Sequence, residues 1–301
     1  MAIWTRESMS SMSVNNNINK NKFYKNRFDW NGVIGVVLII LIILVSVAAP
    51  VIAPQDPNAQ NLAMRLNPPG FVNPSNGQKF VLGTDQLGRD ILSRIIYGSR
   101  ISLIVGIVSV TITAAIGTVL GLLAGFYRGI VDSIIMRLVD LVMSIPSMLL
   151  ALAVIGSTGA GLQNLVIVII ITRWARYARM QYGQVLSYSE REFVQASISI
   201  GCSNKRIIFR HLLPNLISTT IVLATLDLGF VIIFESGLSF LGLGVPPHIP
   251  TWGGMLSDGR SYLNSAWWLG TFPGIAIMLT VLGFNLLGDW ARDRLDPTLK
   301  L

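Results

Sequence analysis

Long apolar runs separated by shorter polar segments dominate the chain from residue 32 onward. A helix needs about 20 mostly apolar residues to cross the hydrocarbon of a membrane. Runs of that character recur along the chain, and they predict six transmembrane helices at residues 32–53, 101–127, 134–155, 161–179, 216–234 and 267–287. The protein is therefore expected to be an all-α membrane protein.

The predicted spans differ in length and in how continuously apolar they are. The second, 101–127, is longer than a crossing requires, so it is expected to tilt or to project from the membrane. The third contains Pro146, and the fourth is continuously apolar only from Leu165 to Ile171. Trp267 and Trp268 fit an aromatic belt at the start of the sixth span.

Composition and charge agree with this interpretation. Of 301 residues, 52% are hydrophobic and 13% are charged, which is too apolar for an ordinary globular domain. The net charge of +8 raises the question of nucleic-acid binding. Most Lys and Arg residues, however, fall in segments that are cytoplasmic if both chain ends are placed inside. The basic excess therefore indicates topology, with both termini cytoplasmic, and no nucleic-acid partner.

The polar segments complete the predicted organisation. The first residues are rich in Asn, Ser and Lys, which is typical of a disordered tail, and the tail ends in a mixture of aromatic and basic residues suited to the membrane interface. The predicted parts are a cytoplasmic tail with an interfacial end at 1–31, a first span at 32–53, an external segment at 54–100, a core of five spans at 101–290 with a cytoplasmic loop at 180–215, and a cytoplasmic end at 291–301.

The polar insert between the fourth and fifth spans has unusually ordered features for a loop. It follows Arg173, Arg176 and Arg179, which share one helical face and are expected to snorkel at the inner interface.

Within the insert, residues 188–200 predict a short amphipathic helix with Phe193, Ala196 and Ile200 at helical spacing. Gly201 is expected to end this helix in a left-handed conformation. A second helical piece at 205–212 leads to Pro214, which suits the first turn of a new helix. So much local order indicates a contact surface for a partner.

These residues resemble the EAA loop of permease subunits in binding-protein-dependent ABC importers. Gln195, Ala196 and Ser197 occupy the Glu-Ala-Ala positions, Gly201 occupies the glycine position, and Leu213 and Pro214 occupy the Leu-Pro positions. The chain departs from the family pattern with Gln for Glu, Ser for the second Ala, and His211 at a hydrophobic position. Glu192, three residues before Gln195, is then the candidate for the missing carboxylate.

Other segments resemble the dipeptide, oligopeptide, glutathione and nickel permeases, from about Gly32 to the C-terminus. The segments that carry this resemblance are 82–94, 97–103, 239–244, 250–253, 284–289, 292–293 and 295–297. The chain looks like the second of two different permease subunits, and residues 265–268 and 271–274 resemble the dipeptide type.

The resemblance implies a type I ABC importer permease in a prokaryotic inner membrane, without catalytic activity of its own. The implied partners are a second permease in a heterodimer, one or two cytoplasmic ATPases, an extracytoplasmic substrate-binding protein and membrane lipid. The implied ATPase-coupling residues are Glu192, Gln195, Ala196, Ser197, Gly201, Leu213 and Pro214. The implied cargo is dipeptides or short peptides, with glutathione or a nickel chelate as the alternative.

Several types of site are missing from the sequence. It has no Gly-Lys pair for a nucleotide-binding P-loop, so ATP must be hydrolysed on another chain. One cysteine, Cys202, and two histidines predict no metal site and no cofactor. An alternative interpretation as a membrane-embedded hydrolase would have to rely on an unusual Ser/Lys or acid pair.

Acidic residues within spans are by default functional candidates. Asp140 is expected to pair locally with Arg137, one helical turn away. Asp227 has no partner in its own helix, so it either faces a translocation path or pairs with another helix. A proton-coupled secondary transporter that uses Asp227 is the alternative of another class. Glu235 is expected near the outer surface, where solvation of a carboxylate costs little.

Overall fold

The protein folds into packed helices with one small hairpin. A computed structural model describes residues 29–295, so the predicted tail at 1–31 and the end of the chain from residue 296 lie largely or wholly outside the described residues. The helices are α1 (Trp30–Ile52), α2 (Ile91–Tyr127), α3 (Gly129–Ser144), α4 (Ser147–Thr158), α5 (Leu162–Ser189), α6 (Glu192–Ser199), α7 (Asn204–Arg206), α8 (Leu213–Phe240), α9 (Trp252–Gly259) and α10 (Trp268–Leu295).

Shorter elements connect these helices. A π-helix, Ile207–Leu212, joins α7 to α8, and 3-10 turns form at Leu62–Met64 and Arg260–Tyr262. Strands β1 (Phe71–Val72) and β2 (Lys79–Phe80) form an antiparallel hairpin between α1 and α2.

Four helical runs are long and apolar enough to cross a membrane: α1, α2, the run Asn204–Phe240 that ends with α8, and α10. Large apolar side chains on these runs are exposed, including Leu44, Ile104, Ile233 and Met278. Exposure of this kind is expected where the surroundings are lipid and not water. The prediction of a helical membrane protein is confirmed, and the predicted first, second, fifth and sixth spans match these runs.

The predicted third span, 134–155, is not one continuous helix. The chain breaks between α3 and α4, and the two helices are bent by 91° relative to each other. Pro146 explains the break, because proline disfavours the helical conformation in the residue before it and has no N–H to donate to the preceding turn. Ile145 is accordingly extended, with φ −97° and ψ 127°. Together, α3 and α4 have the length and apolarity of one broken span.

The predicted fourth span, 161–179, corresponds to the longer helix α5. Within the described residues, α5 is not among the helices apolar enough to be a candidate span by composition. Some of its polar residues face inward, since Arg173 and Gln181 are buried.

Glycines on α2 allow α5 to approach closely. A Cβ atom on Gly117 would lie 2.6 Å from the Trp174 carbonyl oxygen, and one on Gly125 would lie 2.8 Å from the Val185 Cβ. A side chain at either position would therefore overlap α5. Small residues on this face of α2 therefore permit close packing of the two helices.

Helix α2 begins at Ile91, before the start of the predicted span at residue 101. The Asp90 side chain caps the helix, since its Oδ2 accepts hydrogen bonds from the Ser93 backbone N–H (2.8 Å) and Ser93 Oγ (2.6 Å). At 1.5 Å per residue, α2 is roughly 55 Å long. It therefore links the hairpin end of the protein to the end that carries the polar insert.

An ion-pair network holds the segment before α2 in place. Arg89 Nε lies 2.6 Å from Asp85 Oδ2, and Arg89 Nη2 lies 3.3 Å from Asp258 in α9. The Trp268 indole N–H adds a bond to the Thr84 carbonyl oxygen at 3.2 Å. These contacts fix the segment to the ends of α9 and α10.

Candidate functional site

The polar insert is anchored to three long helices by a small apolar core. Val194 in α6 and Ile207, Ile208 and Leu212 in the π-helix are all buried. They pack in one cluster with Leu122 of α2, Val185 of α5 and Leu216 of α8. The insert is therefore a folded platform on the helix ends and not a flexible loop. We call residues 190–215 the coupling segment.

The apolar face of α6 points away from this core. Phe193, Ala196 and Ile200, which predict the amphipathic helix, are exposed, while Val194 and Ser197 are buried. Ile200 is 79% exposed, and Phe209 in the π-helix is 67% exposed. An amphipathic helix of a monomer normally buries its apolar face. The exposed face of the coupling segment therefore has the character of a surface that another protein covers.

Basic side chains accompany these exposed apolar residues on the coupling segment. Arg191, Lys205, Arg206 and Arg210 are all exposed on the coupling segment. The coupling segment therefore exposes both apolar and basic side chains, a mixture that is common in protein interfaces.

The predicted site residues do not share a single face. Glu192, Gln195, Ala196, Gly201 and Pro214 are exposed, whereas Leu213 is half-buried. Ser197 is buried, and its hydroxyl donates to the Phe193 carbonyl oxygen at 2.8 Å. Among the predicted coupling residues, Ser197 is the buried one.

Gln195 is held by a hydrogen bond that a glutamate would not make. Its Nε2 donates to the carbonyl oxygen of Ser189 at the end of α5, at 2.7 Å. A carboxylate has no hydrogen to donate, and its charge would face the carbonyl oxygen. The amide at this position therefore ties α6 to α5.

Gly201 has φ 78°, and α6 ends at Ser199, as the sequence predicts. A Cβ atom on Gly201 would meet nothing within 4 Å. The requirement for glycine at this turn is therefore conformational and not a matter of space.

The second helical piece does not end before Pro214. Residues from Asn204 through Phe240 form one helical run, in which the π-helix replaces a break. The Leu213 N–H bonds to the Ile208 carbonyl oxygen, five residues back. A proline at 214 cannot make the regular bond to residue 210, and its ring would clash with that carbonyl group. The wider π turn relieves this clash, so the coupling segment runs directly into α8.

His211 packs as an apolar residue would. Its ring centroid lies 6.4 Å from that of Phe193. The imidazole thus occupies the place that a hydrophobic side chain has in the family pattern.

The basic residues of α5, which were expected to snorkel, make ion pairs with residues of neighbouring helices. Arg173 forms an ion pair with Asp227 of α8, and Arg176 Nη1 lies 3.6 Å from the same carboxylate. The Tyr177 hydroxyl donates to Asp227 Oδ2 at 3.2 Å. Of the two alternatives for Asp227, the structure shows a pairing with another helix. The Asp227 residue is only 1% exposed.

Two further predictions for acidic residues are wrong. Asp140 pairs with Arg179 of α5 and not with Arg137, because α3 packs beside α5 and brings the longer-range partner into reach. Glu235 is 1% exposed and not solvated. Its carboxylate accepts hydrogen bonds from Ser239 (2.8 Å) and Ser236 (3.4 Å), which replace water.

Sequence reasoning missed two groups of residues. Ile198 and Phe209 belong to the exposed apolar face, and their presence in an otherwise polar insert is the signal that would have found them. The Arg89 and Asp258 pair is far apart in the chain, and no local pattern indicates it.

An ordered loop that exposes apolar side chains between membrane helices is typical of a membrane protein that binds another protein. Comparison with known proteins identifies the family of this membrane protein. The family described as binding-protein-dependent transport system inner membrane component matches residues 117–301. The family described as N-terminal TM domain of oligopeptide transport permease C matches residues 21–69. The chain belongs to this family of ABC importer permeases.

The chain is also similar to individual transport permeases. The chain is 43% identical to the di/tripeptide transport system permease protein DppC of Pseudomonas aeruginosa, over 92% of this chain and 90% of the relative. It is 40% identical to the dipeptide transport system permease protein DppC of Haemophilus influenzae, over 92% and 93%. It is also 47% identical to the glutathione transport system permease protein GsiD of Pectobacterium atrosepticum, over 73% of each chain.

Solved structures show the same fold. A chain of the MetNI methionine ABC transporter, in inward-facing conformations, matches with a TM-score of 0.56 at 18% identity, over 67% of this chain and 96% of that one. The protein is thus a multi-pass component of the inner membrane and a non-catalytic transport subunit, as predicted. Family membership contradicts both the secondary transporter and the membrane hydrolase.

Proposed function

We propose that this protein is the second permease subunit of an ATP-driven importer of dipeptides or short peptides. It forms the translocation path with a different permease subunit. It receives cargo from an extracytoplasmic binding protein and is driven by one or two cytoplasmic ATPases. Relatives named as dipeptide permeases, with 40–43% identity over about nine-tenths of the chain, support the cargo class.

In this proposal the chain crosses the membrane six times, with both ends cytoplasmic. The crossings are α1, α2, the bent pair α3 and α4, α5, the run from Asn204 to Phe240, and α10. The polar composition of α5 does not oppose a crossing, because Arg173 and Gln181 are buried against other helices and do not face lipid. The distribution of Lys and Arg supports the orientation.

The coupling segment is the proposed contact with the ATPase. The observation that carries this proposal is the exposed apolar face around Phe193, Ile200 and Phe209, on a platform whose other side is packed into α2, α5 and α8. Glu192, Gln195 and Ala196 lie at the exposed surface, and Gly201 and Pro214 shape it. Displacement of this platform by the ATPases then moves the attached helices as rigid bodies and alternates access to the path.

Glutathione is the second candidate cargo, and the 47% identity to a glutathione permease favours it over a nickel chelate. Uptake of radiolabelled alanyl-alanine, in competition with unlabelled dipeptides and unlabelled glutathione, distinguishes dipeptides from glutathione as the cargo. We expect dipeptides to compete and glutathione to have little effect. Permease-dependent uptake of radiolabelled glutathione, without permease-dependent uptake of alanyl-alanine, would reverse the assignment.

The coupling contact is tested by placing a charge among its exposed apolar residues. Ile200→Asp is expected to lower co-purification of the ATPases, and with it uptake, by about tenfold or more, as for a residue central to an interface. Val72→Asp is the matched control, because Val72 is also an exposed apolar residue but lies on the hairpin at the other end of α2. Unchanged assembly and uptake in Ile200→Asp would refute the contact.

A further inference from the structure

Asp227 lies near the midpoint of α8, and its partners all come from α5. Its side chain has no exposed surface, and Arg173, Arg176 and Tyr177 converge on its two oxygens. The Arg173 guanidinium also lies over the Phe230 ring, 3.9 Å from the centroid. A buried carboxylate without partners is very costly, so the fold strongly favours the one alignment of α5 and α8 that satisfies it.

Further polar contacts continue from Asp227 toward the coupling segment. Gln181 Nε2 donates to Thr220 Oγ1 at 2.7 Å, and the Thr219 hydroxyl donates to Gln184 Oε1 at 2.6 Å. Each contact joins α5 to α8. The two helices are therefore fastened to each other from the middle of α8 almost to its first turn.

These two helices flank the coupling segment in the chain. Helix α5 ends at Ser189, just before α6, and the helical run that becomes α8 begins at Asn204, just after it. A displacement of the coupling segment therefore moves the adjoining ends of both helices at the same time. The helices transmit it to the membrane interior only if they do not slide against each other.

We propose that Asp227 is a positioning residue for energy coupling. By binding Arg173 and Tyr177 it locks α5 and α8 together, so that the two helices and the coupling segment move as one lever. This inference rests on the proposed role of the coupling segment as the ATPase contact. It assigns Asp227 to force transmission and not to the translocation path.

The proposed role of Asp227 is tested by the ratio of peptide transported to ATP hydrolysed. The complete transporter is reconstituted in vesicles, with radiolabelled alanyl-alanine as the probe. Asp227→Asn is expected to lower the ratio by about tenfold, with ATP hydrolysis per assembled complex little changed. Tyr177→Phe removes one hydrogen bond and is expected to lower the ratio by about threefold. Asp140→Asn is the control, because it removes an exposed ion pair of α5 and should leave the ratio unchanged.

A distance measurement tests the same lever without reference to the cargo. Spin labels replace Ser187 in α5 and Ile217 in α8, in a Cys202→Ser background. In the wild-type transporter the distance is expected to be the same in the nucleotide-free and ATP-bound states. In Asp227→Asn it is expected to shift between these states.

Two results would contradict the proposal that Asp227 makes α5 and α8 move as one unit. One is a wild-type distance between α5 and α8 that changes on ATP binding. The other is an Asp227→Asn transporter whose uptake falls only in proportion to the amount of assembled complex, since that would indicate a purely structural role. Failure of the proposed function is separately visible, because the wild-type permease would then purify without ATPases.

Discussion

The side-chain amide of Gln195 donates a 2.7 Å hydrogen bond to the carbonyl oxygen of Ser189 and so fastens the start of the coupling segment to the end of α5. The family pattern has a glutamate at this position, which cannot donate such a bond. The glutamine is therefore part of how this chain holds its platform. Glu192 is the nearby exposed carboxylate.

Replacing Gln195 by Glu is expected to loosen α6. The variant loses a hydrogen bond and gains a repulsion between two oxygens, a change of about 1 kcal/mol or more. Hydrogen exchange of the backbone amides in 192–200 should therefore become faster. Gln195→Ala serves as the comparison, because it loses the bond without the repulsion and should show a smaller increase. Equal exchange in wild type and Gln195→Glu would contradict this account of the hydrogen bond.

Gly201 is expected to tolerate asparagine better than valine. Its φ of 78° costs an ordinary residue roughly 1–2 kcal/mol, and asparagine is the side chain that tolerates this region best. The space around Gly201 is open, so the size of the new side chain is not the cause of any difference. Uptake and ATPase co-purification should be lost in Gly201→Val and largely kept in Gly201→Asn. Equal loss in both variants would indicate a contact with a partner at this position.

Gly117→Ala is expected to destabilise the packing of α2 on α5. The new methyl group would lie 2.6 Å from the Trp174 carbonyl oxygen, and overpacking of this kind costs about 1–3 kcal/mol. Gly156→Ala in α4 is the matched control, because its methyl group meets nothing within 4 Å. Thermal unfolding of the purified permease pair should be shifted down only in the first variant. A control with the same shift would show that loss of glycine itself, and not overlap, is responsible.

Asp90 gives the end of α2 a pH-dependent stability. Burial raises the pKa of its carboxyl group above the ordinary value of 3.8. The folded state therefore keeps this proton to a higher pH than the unfolded state does, and its stability falls as pH rises through the interval between the two pKa values. Asp90→Asn keeps an acceptor for the Ser93 N–H without the titration. Thermal unfolding of the variant should lack this component of the acid-range pH dependence, and identical profiles would contradict it.

The local pattern of apolar residues predicted the helices whose own sequences are long and apolar enough to span a membrane. Uninterrupted apolar runs identify α1, α2, α8 and α10, since a membrane imposes both the length and the polarity of a span. The turn at Gly201 was also predictable, because only a glycine adopts its φ without cost. The break at Pro146 was visible in the sequence, but a proline within a span allows either a kink or a full break.

Contacts between distant residues were not predictable in the same way. Arg173 and Asp227, like Arg179 and Asp140, meet because α5 lies between α3 and α8, and only the packing of the bundle sets that order. The outward direction of Phe193 and Ile200 also depends on which side of α6 finds the core. Periodicity shows that a helix has an apolar face but not what that face contacts.

The exposed apolar face of the coupling segment is the proposed binding surface for an ATPase. The most direct test of this claim is the reactivity of a cysteine at position 200 in a Cys202→Ser background, measured with a polar maleimide. We expect rapid labelling of the permease pair alone and protection when the ATPases are bound, whereas a cysteine at position 72 should label equally in both states. Equal labelling of position 200 with and without the ATPases would contradict the claim.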